Sequence, residues 1–164
     1  MRVTNVEVTV VEVPQIAPIA PYRSHVRTSS TTMSAIVKVE TDEGLEGWGE
    51  HNVNFLPEIS GSGMQADARA WMVGRDPLNL QAFHRDCRLE TRLKSGIELA
   101  MWDLKGKALG EPVYRLLGGF RDRVPTYYSG KLWRPYSLEE LAESSAELVD
   151  SLPYMENVSR TSAA

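Results

Sequence analysis

S-G-I-E-L-A-M-W-D-L-K-G-K-A-L-G-E-P-V-Y-R-L-L-G-G, residues Ser95 to Gly119, is the stretch whose reading decides the fold. Ser95 and Glu98 stand three apart, the spacing of a capping box that satisfies two backbone N–H groups at a helix start. Ile97, Ala100, Met101, Leu104 and Ala108 follow at helical spacing and form one apolar stripe. Leu99 and Trp102 widen it, which predicts a helix buried on more than one side. Gly110 suits the left-handed position just past a helix end, and Pro112 can open a new turn. Val113, Leu116 and Leu117 then make a short second helix, closed by Gly118 and Gly119. The stretch reads as a core helix, a break and a one-turn coda.

Upstream, Arg2 to Val13 is Val-rich and alternating. Val6, Val8 and Val10 share a face before Val11 and Val13 shift phase, the mark of a bulge or of a strand buried on both faces. Pro14 ends it. Residues 14–32 hold Pro14, Pro18, Pro21 and a Ser/Thr run, and read as a long loop of the kind that is functional or disordered in compact domains. Met33 to Glu40 alternates again, Asp42-Glu43-Gly44 supplies turn chemistry, and Leu45 to Glu50 returns. Strand plus hairpin makes a three-stranded antiparallel meander. A polar loop, His51 to Gly63, leads to a helix from Met64 to Val73 with Ala68, Trp71 and Met72 on its apolar face. Asp76 is placed to cap a further helix with Pro77 in its first position, carrying Leu78, Phe83 and Leu89 toward Leu93. One small sheet followed by a helical bundle is an α+β arrangement.

Beyond Asp122 a new unit begins. Arg123 to Tyr128 is short and β-prone. Ser137 and Glu140 make another capping box, and Leu138, Leu141, Ala142, Ser145, Leu148 and Val149 line the helix they open. Strand, loop and helix are the first unit of a parallel β/α fold. The tail 153–164 is polar and patternless.

At 164 residues the chain can remove roughly 70% of its unfolded surface from water, so a real core is available. Eighteen basic against 22 acidic side chains give a net charge of −4 with no basic block, which argues against a nucleic-acid partner. The lone Cys87 excludes an internal disulfide framework and suits a reducing compartment. No apolar run approaches the ~20 residues of a membrane span, and Met1-Arg2 leads into a strand pattern rather than a leader. A cytoplasmic protein with no membrane partner is expected.

The helical stretch also resembles the motif that closes the N-terminal domain of the mandelate racemase/muconate lactonizing enzyme family, a branch of the enolase superfamily. Gly96, Ile97, Glu98, Ala100, Asp103, Leu104, Gly106, Lys107, Pro112, Val113, Leu116, Leu117 and Gly118 carry the resemblance. Met101 and Leu93 are mild apolar departures. T-D-E-G-L-E-G-W-G-E, residues 41–50, is similar to the same family's second and third strands. There Gly47 and Gly49 imply close backbone approach, the domain packing over a barrel's mouth. V-P-T-Y-Y-S-G resembles the first barrel strand. The resemblance implies an enolase-like N-terminal capping domain over residues 1–122, the first β/α unit of an incomplete TIM barrel over 123–152, and an irregular tail over 153–164.

It implies chemistry too. Family members are Mg²⁺-dependent isomerases and lyases (racemases, cycloisomerases, sugar-acid dehydratases) that remove the proton alpha to a carboxylate. Their second barrel strand carries a Lys-x-Lys pair, and three acidic magnesium ligands and an opposite base lie further on. Here the last lysine is Lys131, and a closed barrel needs roughly 250 residues. The reading is therefore a truncated chain, inactive alone, with no catalytic residue and no metal ligand of its own. Its partners are a small carboxylate, met through a barrel not present here, and further copies in a homo-oligomer. The alternatives are a self-associating or barrel-binding cap without catalysis, and a gene fragment without function.

What such a cap can carry is specificity. By resemblance the loops after the first and third strands touch the far end of the substrate. Tyr22, Arg23 and His25 are the candidates in one, since an Arg fork suits acid-sugar carboxylates and hydroxyls. His51, Asn52 and Asn54 are the candidates in the other, and Ser129 is a weaker one by position. Each has the plainer reading of a solvated loop residue. His84 and Cys87, three apart within a helix, read as structure rather than as a metal site. Asp103 and Lys107, four apart, read as a helix-surface ion pair.

Overall fold

The computed structural model of the chain describes residues 1–15, 22–23, 28–53, 61–121 and 137–161, without the side chains of 22, 23, 28 and 151–161. In chain order the elements are β1 (Val3–Pro14), β2 (Tyr22–Arg23), β3 (Thr28–Ser29), β4 (Thr31–Thr41) and β5 (Glu46–Asn52). The helices are α1 (Gly61–Met72), α2 (Leu80–Asp86), α3 (Thr91–Leu109), α4 (Val113–Leu116) and α5 (Leu138–Thr161). They divide into two compact units, residues 1–13 with 31–122, and residues 14–30 with 123–164.

The first unit is the expected α+β domain. Its sheet runs β1-β4-β5, with β4 in the centre. β4 and β5 pair antiparallel in the register Val37↔Gly49 and Val39↔Gly47. At the far end the Asp42 N–H donates to the Arg2 carbonyl at 2.9 Å, which ties the start of β1 to the β4–β5 turn. Alternation decides which face is buried. Val6 and Val8 of β1 and Ala35, Val37 and Val39 of β4 face the helices and are buried, whereas Val13 is 52% exposed. From the helical side come Ala68 and Met72 of α1, Phe83 of α2, and Leu93, Ile97, Ala100, Met101 and Leu104 of α3. Trp71 meets Phe83 edge to face at 5.2 Å and is covered by the Arg75 guanidinium at 4.4 Å.

Several boundaries depart from the sequence reading, each for a local reason. The 14–32 segment holds a two-stranded ribbon, Tyr22↔Ser29 and Arg23↔Thr28, and β4 already begins at Thr31. Asp76 does not cap a helix. Its carboxylate accepts the Leu78 N–H at 2.9 Å and closes a turn, and Asn79 caps α2 by accepting the Ala82 N–H at 3.0 Å. α3 likewise starts before the Ser95/Glu98 box, capped by Glu90, whose carboxylate accepts the N–H groups of Arg92 and Leu93 at 2.9 and 3.1 Å. With the earlier start Leu93 lies within α3 and in the core, 2% exposed. At the other end Gly110 takes φ +66° and closes α3 as expected.

α3 is not buried on more than one side. Leu99 is 51% exposed, and Trp102 is only partly buried, beneath the Lys105 ammonium at 5.1 Å. In the second unit the Ser137/Glu140 box is made in both directions, at 2.7 and 3.2 Å. The helix it opens continues to Thr161, through Pro153 and the first part of the 153–164 tail read as irregular. The expected strand at 123–128 lies outside the described residues.

Candidate functional site

α3 lies so close along the edge strand β5 that side chains are squeezed out of the seam. A Cβ on Gly49 would fall inside the Gly96 carbonyl oxygen, with the Ala100 nitrogen at 2.8 Å. One on Gly47 would overlap the Ala100 carbonyl and meet Leu104 Cγ at 2.5 Å. The close approach implied for these glycines is therefore made by α3 of the same unit, rather than by a barrel. Asp103 and Lys107 complete the seam. Asp103 accepts the Trp48 N–H at 2.9 Å, and the Lys107 ammonium donates to the Glu46 carbonyl and to Asp103, both at 2.7 Å. The pair read as a surface ion pair also covers the outer hydrogen-bonding groups of an edge strand, which would otherwise offer a template for pairing.

Toward the end of β5 this order breaks. His51 is a strand residue, 6% exposed, not a solvated loop residue. Its ring lies on the α3 face vacated by Gly96, where a Cβ would stand 2.6 Å from Nδ1. Among the described residues four side-chain polar atoms are buried without a hydrogen-bond partner, and three of them are His51 Nδ1, His51 Nε2 and Arg92 Nη1. Arg92 lies one turn before Gly96 on the same helix face. Burial pushes the His51 imidazolium below its ordinary value, Glu90 acting against this and Arg92 with it. Glu50, next in the strand, accepts the Ser34 hydroxyl at 2.6 Å.

Of the residues singled out from sequence, His51 and Asn52 stand together at the end of β5, with Asn52 opposite Ser34. Tyr22 and Arg23 form β2. His25, Asn54 and Ser129 lie outside the described residues. Arg92, which the sequence reading did not single out, carries the remaining unpartnered atom on α3. His84 pairs with Glu98 at 3.3 Å. Among the described residues no three His, Cys, Asp or Glu side chains stand together as a metal-binding group. None of the described helices is long and apolar enough to cross a membrane.

A three-stranded meander covered on one face by helices is an α+β domain, and three of the four unsatisfied buried side-chain atoms among its described residues belong to His51 of β5 and Arg92 of α3. The model of the mandelate racemase/muconate lactonizing enzyme N-terminal domain matches residues 5–118, and the chain belongs to that family. It is 42% identical over 106 residues to the D-galactonate dehydratase of Xanthomonas campestris pv. campestris strain B100, covering 56% of this chain and 26% of that protein. The fold is similar to that of the muconate lactonizing enzyme from Pseudomonas fluorescens complexed with muconolactone. That likeness has a TM-score of 0.73 at 26% identity, over 90% of this chain and 42% of the other. The dipeptide epimerase from Enterococcus faecalis V583, complexed with Mg and the dipeptide L-Leu-L-Tyr, is similar with a TM-score of 0.63 at 27% identity, over 76% and 36% of the two chains. The chain thus spans about a quarter of the length of the dehydratases it matches.

Proposed function

We propose that these residues are the substrate-specificity cap of a Mg²⁺-dependent enzyme that removes the proton alpha to a carboxylate, acting on a sugar acid or a related acid. The observation that carries this reading is the family match over residues 5–118, joined to 42% identity with D-galactonate dehydratases. Proton removal at such a carbon requires a base at hydrogen-bond range and stabilisation of the enediolate charge. On this reading both belong to a barrel, as do the ligands of the metal, and the 164 residues by themselves do not catalyse. The cap's own part is to close the far end of the substrate pocket, with His51 and Asn52 at the end of β5 and with Tyr22, Arg23, His25 and Asn54 in the segments after β1 and β5. Ser129 would add a contact at the first barrel strand. A cap docked on a second body needs an apolar seat. A groove of about 630 Å³ beside β5, lined by Ile36, Trp48, Leu99, Trp102 and Val113, supplies one. Homo-oligomeric assembly and a cytoplasmic location complete the proposal, the latter suited by the free, buried Cys87.

Fusing the chain to the barrel of the Xanthomonas dehydratase tests it. The fusion is expected to dehydrate galactonate in the presence of Mg²⁺, and the 164-residue chain to show no solvent deuterium exchange at the substrate α-carbon. Exchange by the chain alone, or an inactive but folded fusion, would overturn the reading.

A further inference from the structure

We propose that His51 is an acid-released latch: its neutral ring holds the end of β5 on α3, and protonation of the ring lets that end go. The latch lies within the first unit of the chain and stands whether or not that unit caps a barrel.

The packing around the ring builds it. His51 is 6% exposed and fills the notch that Gly96 leaves on α3, where a Cβ would stand 2.6 Å from Nδ1 and 3.1 Å from Val37 Cγ2. In the ladder His51 stands opposite Ala35, so β4 adds only apolar surface on that side. Neither Nδ1 nor Nε2 has a hydrogen-bond partner. The ring thus serves as packing, a role that suits an imidazole without charge.

A proton upsets this arrangement. The imidazolium carries two N–H donors and a full charge, and it finds no acceptor in the seam. The charged groups that act on it are Glu50 of β5, with Glu90 and Arg92 at the start of α3; Ala35 and Val37 of β4 bring none. Burial, the largest influence, and Arg92 disfavour the charge, while Glu90 and Glu50 favour it. Both carboxylates already hold other groups. Glu90 accepts the N–H groups of Arg92 and Leu93 at 2.9 and 3.1 Å, and Glu50 accepts the Ser34 hydroxyl at 2.6 Å. The charged ring therefore gains most by turning out to water, which takes the strand end with it. Little else ties that end down: β5 closes at Asn52, and the Val53 N–H donates to the Met33 carbonyl at 3.1 Å. The other half of the seam contains no histidine, and there Gly47 and Gly49 lie directly on the α3 backbone.

The direction with pH follows. The closed form holds the imidazolium below its ordinary 6.5 and the open form restores it. The latch is at full strength above pH 6.5 and weakens as pH falls toward the closed form's value.

Amide hydrogen exchange of the 164-residue chain tests this, read by NMR between pH 7.5 and 5 and corrected for intrinsic exchange rates. Protection at His51 and Val53 is expected to fall by up to about tenfold for each pH unit below 6.5, while Gly47 and Leu104 keep theirs. The loss should track the titration of the His51 ring seen by nitrogen-15 NMR. His51→Phe, which fills the notch without a proton site, should abolish it, and His84→Gln should leave it in place. Should His51→Phe misfold, His51→Gln serves the same purpose. Protection at Val53 that is flat with pH, that falls equally at Gly47 and Leu104, or that still falls in a folded His51 variant would overturn the latch. So would a loss that disappears with His84→Gln.

Discussion

β5 and α3 meet twice, and the two halves of their contact are built on opposite rules. Around Gly47 and Gly49 the backbones touch, and the outward groups of Trp48 and Glu46 are taken up by Asp103 and Lys107. A turn or so further on, at His51 and Arg92, side chains return and three of their polar atoms go without a partner. The first half lies partly open, with Trp48 48% exposed, and its polar groups find partners within the protein; the second closes over His51, 6% exposed, and leaves polar atoms without one.

The sharpest way to break the comparison is Gly49→Ala. Its Cβ has only backbone to displace, so a loss of about 3 kcal/mol or more is expected in urea denaturation. A melt within a few tenths of a kcal/mol of native, as for an ordinary surface change, would show that the seam has slack. Asp103→Ala should come next, at about 1–3 kcal/mol, because it strips the Trp48 N–H and the Lys107 ammonium of their shared acceptor. Trp102→Ala should do less than a fully buried tryptophan, about 1 kcal/mol rather than the ~3–5 kcal/mol of a core position, since one side of its ring is open. A loss at the core value would place it in the closed half.

The smallest expected effect is a pH dependence, and its sign is set by His51. Burial lowers its value in the folded chain below the ordinary 6.5, so the unfolded chain binds the proton more readily. The stabilisation is present above pH 6.5 and is lost as pH falls through the depressed folded value. Urea midpoints measured between pH 7.5 and 5 should decline in that window, and His51→Phe should flatten the decline. An unaltered slope in that variant would mean that the ring titrates freely.

Much of the scaffold was legible. The alternation of Ala35, Val37 and Val39, the stripe Ile97, Ala100, Met101 and Leu104, and the left-handed close at Gly110 all follow from periodicity and local backbone preference, which act within a few residues. Helix starts were less so. Ser95 and Glu98 have the spacing of a cap, yet Glu90 caps α3, its carboxylate accepting the N–H groups of Arg92 and Leu93. His51 and Asn52, read as loop residues, are the last two residues of β5, because their pairing with Ala35 and Ser34 carries the strand further than its composition suggests.

By itself the sequence determined the order of elements, the face each strand and helix turns inward, and the family, because these depend on spacing along the chain. Only the tertiary structure decided that Gly47, Gly49 and Gly96 serve one seam, that Asp103 and Lys107 cover a strand edge, and that the His51 ring fills the space beside Gly96. Each of those facts is a distance between residues more than forty positions apart, or depends on one. No local pattern encodes such a distance until α3 lies on β5.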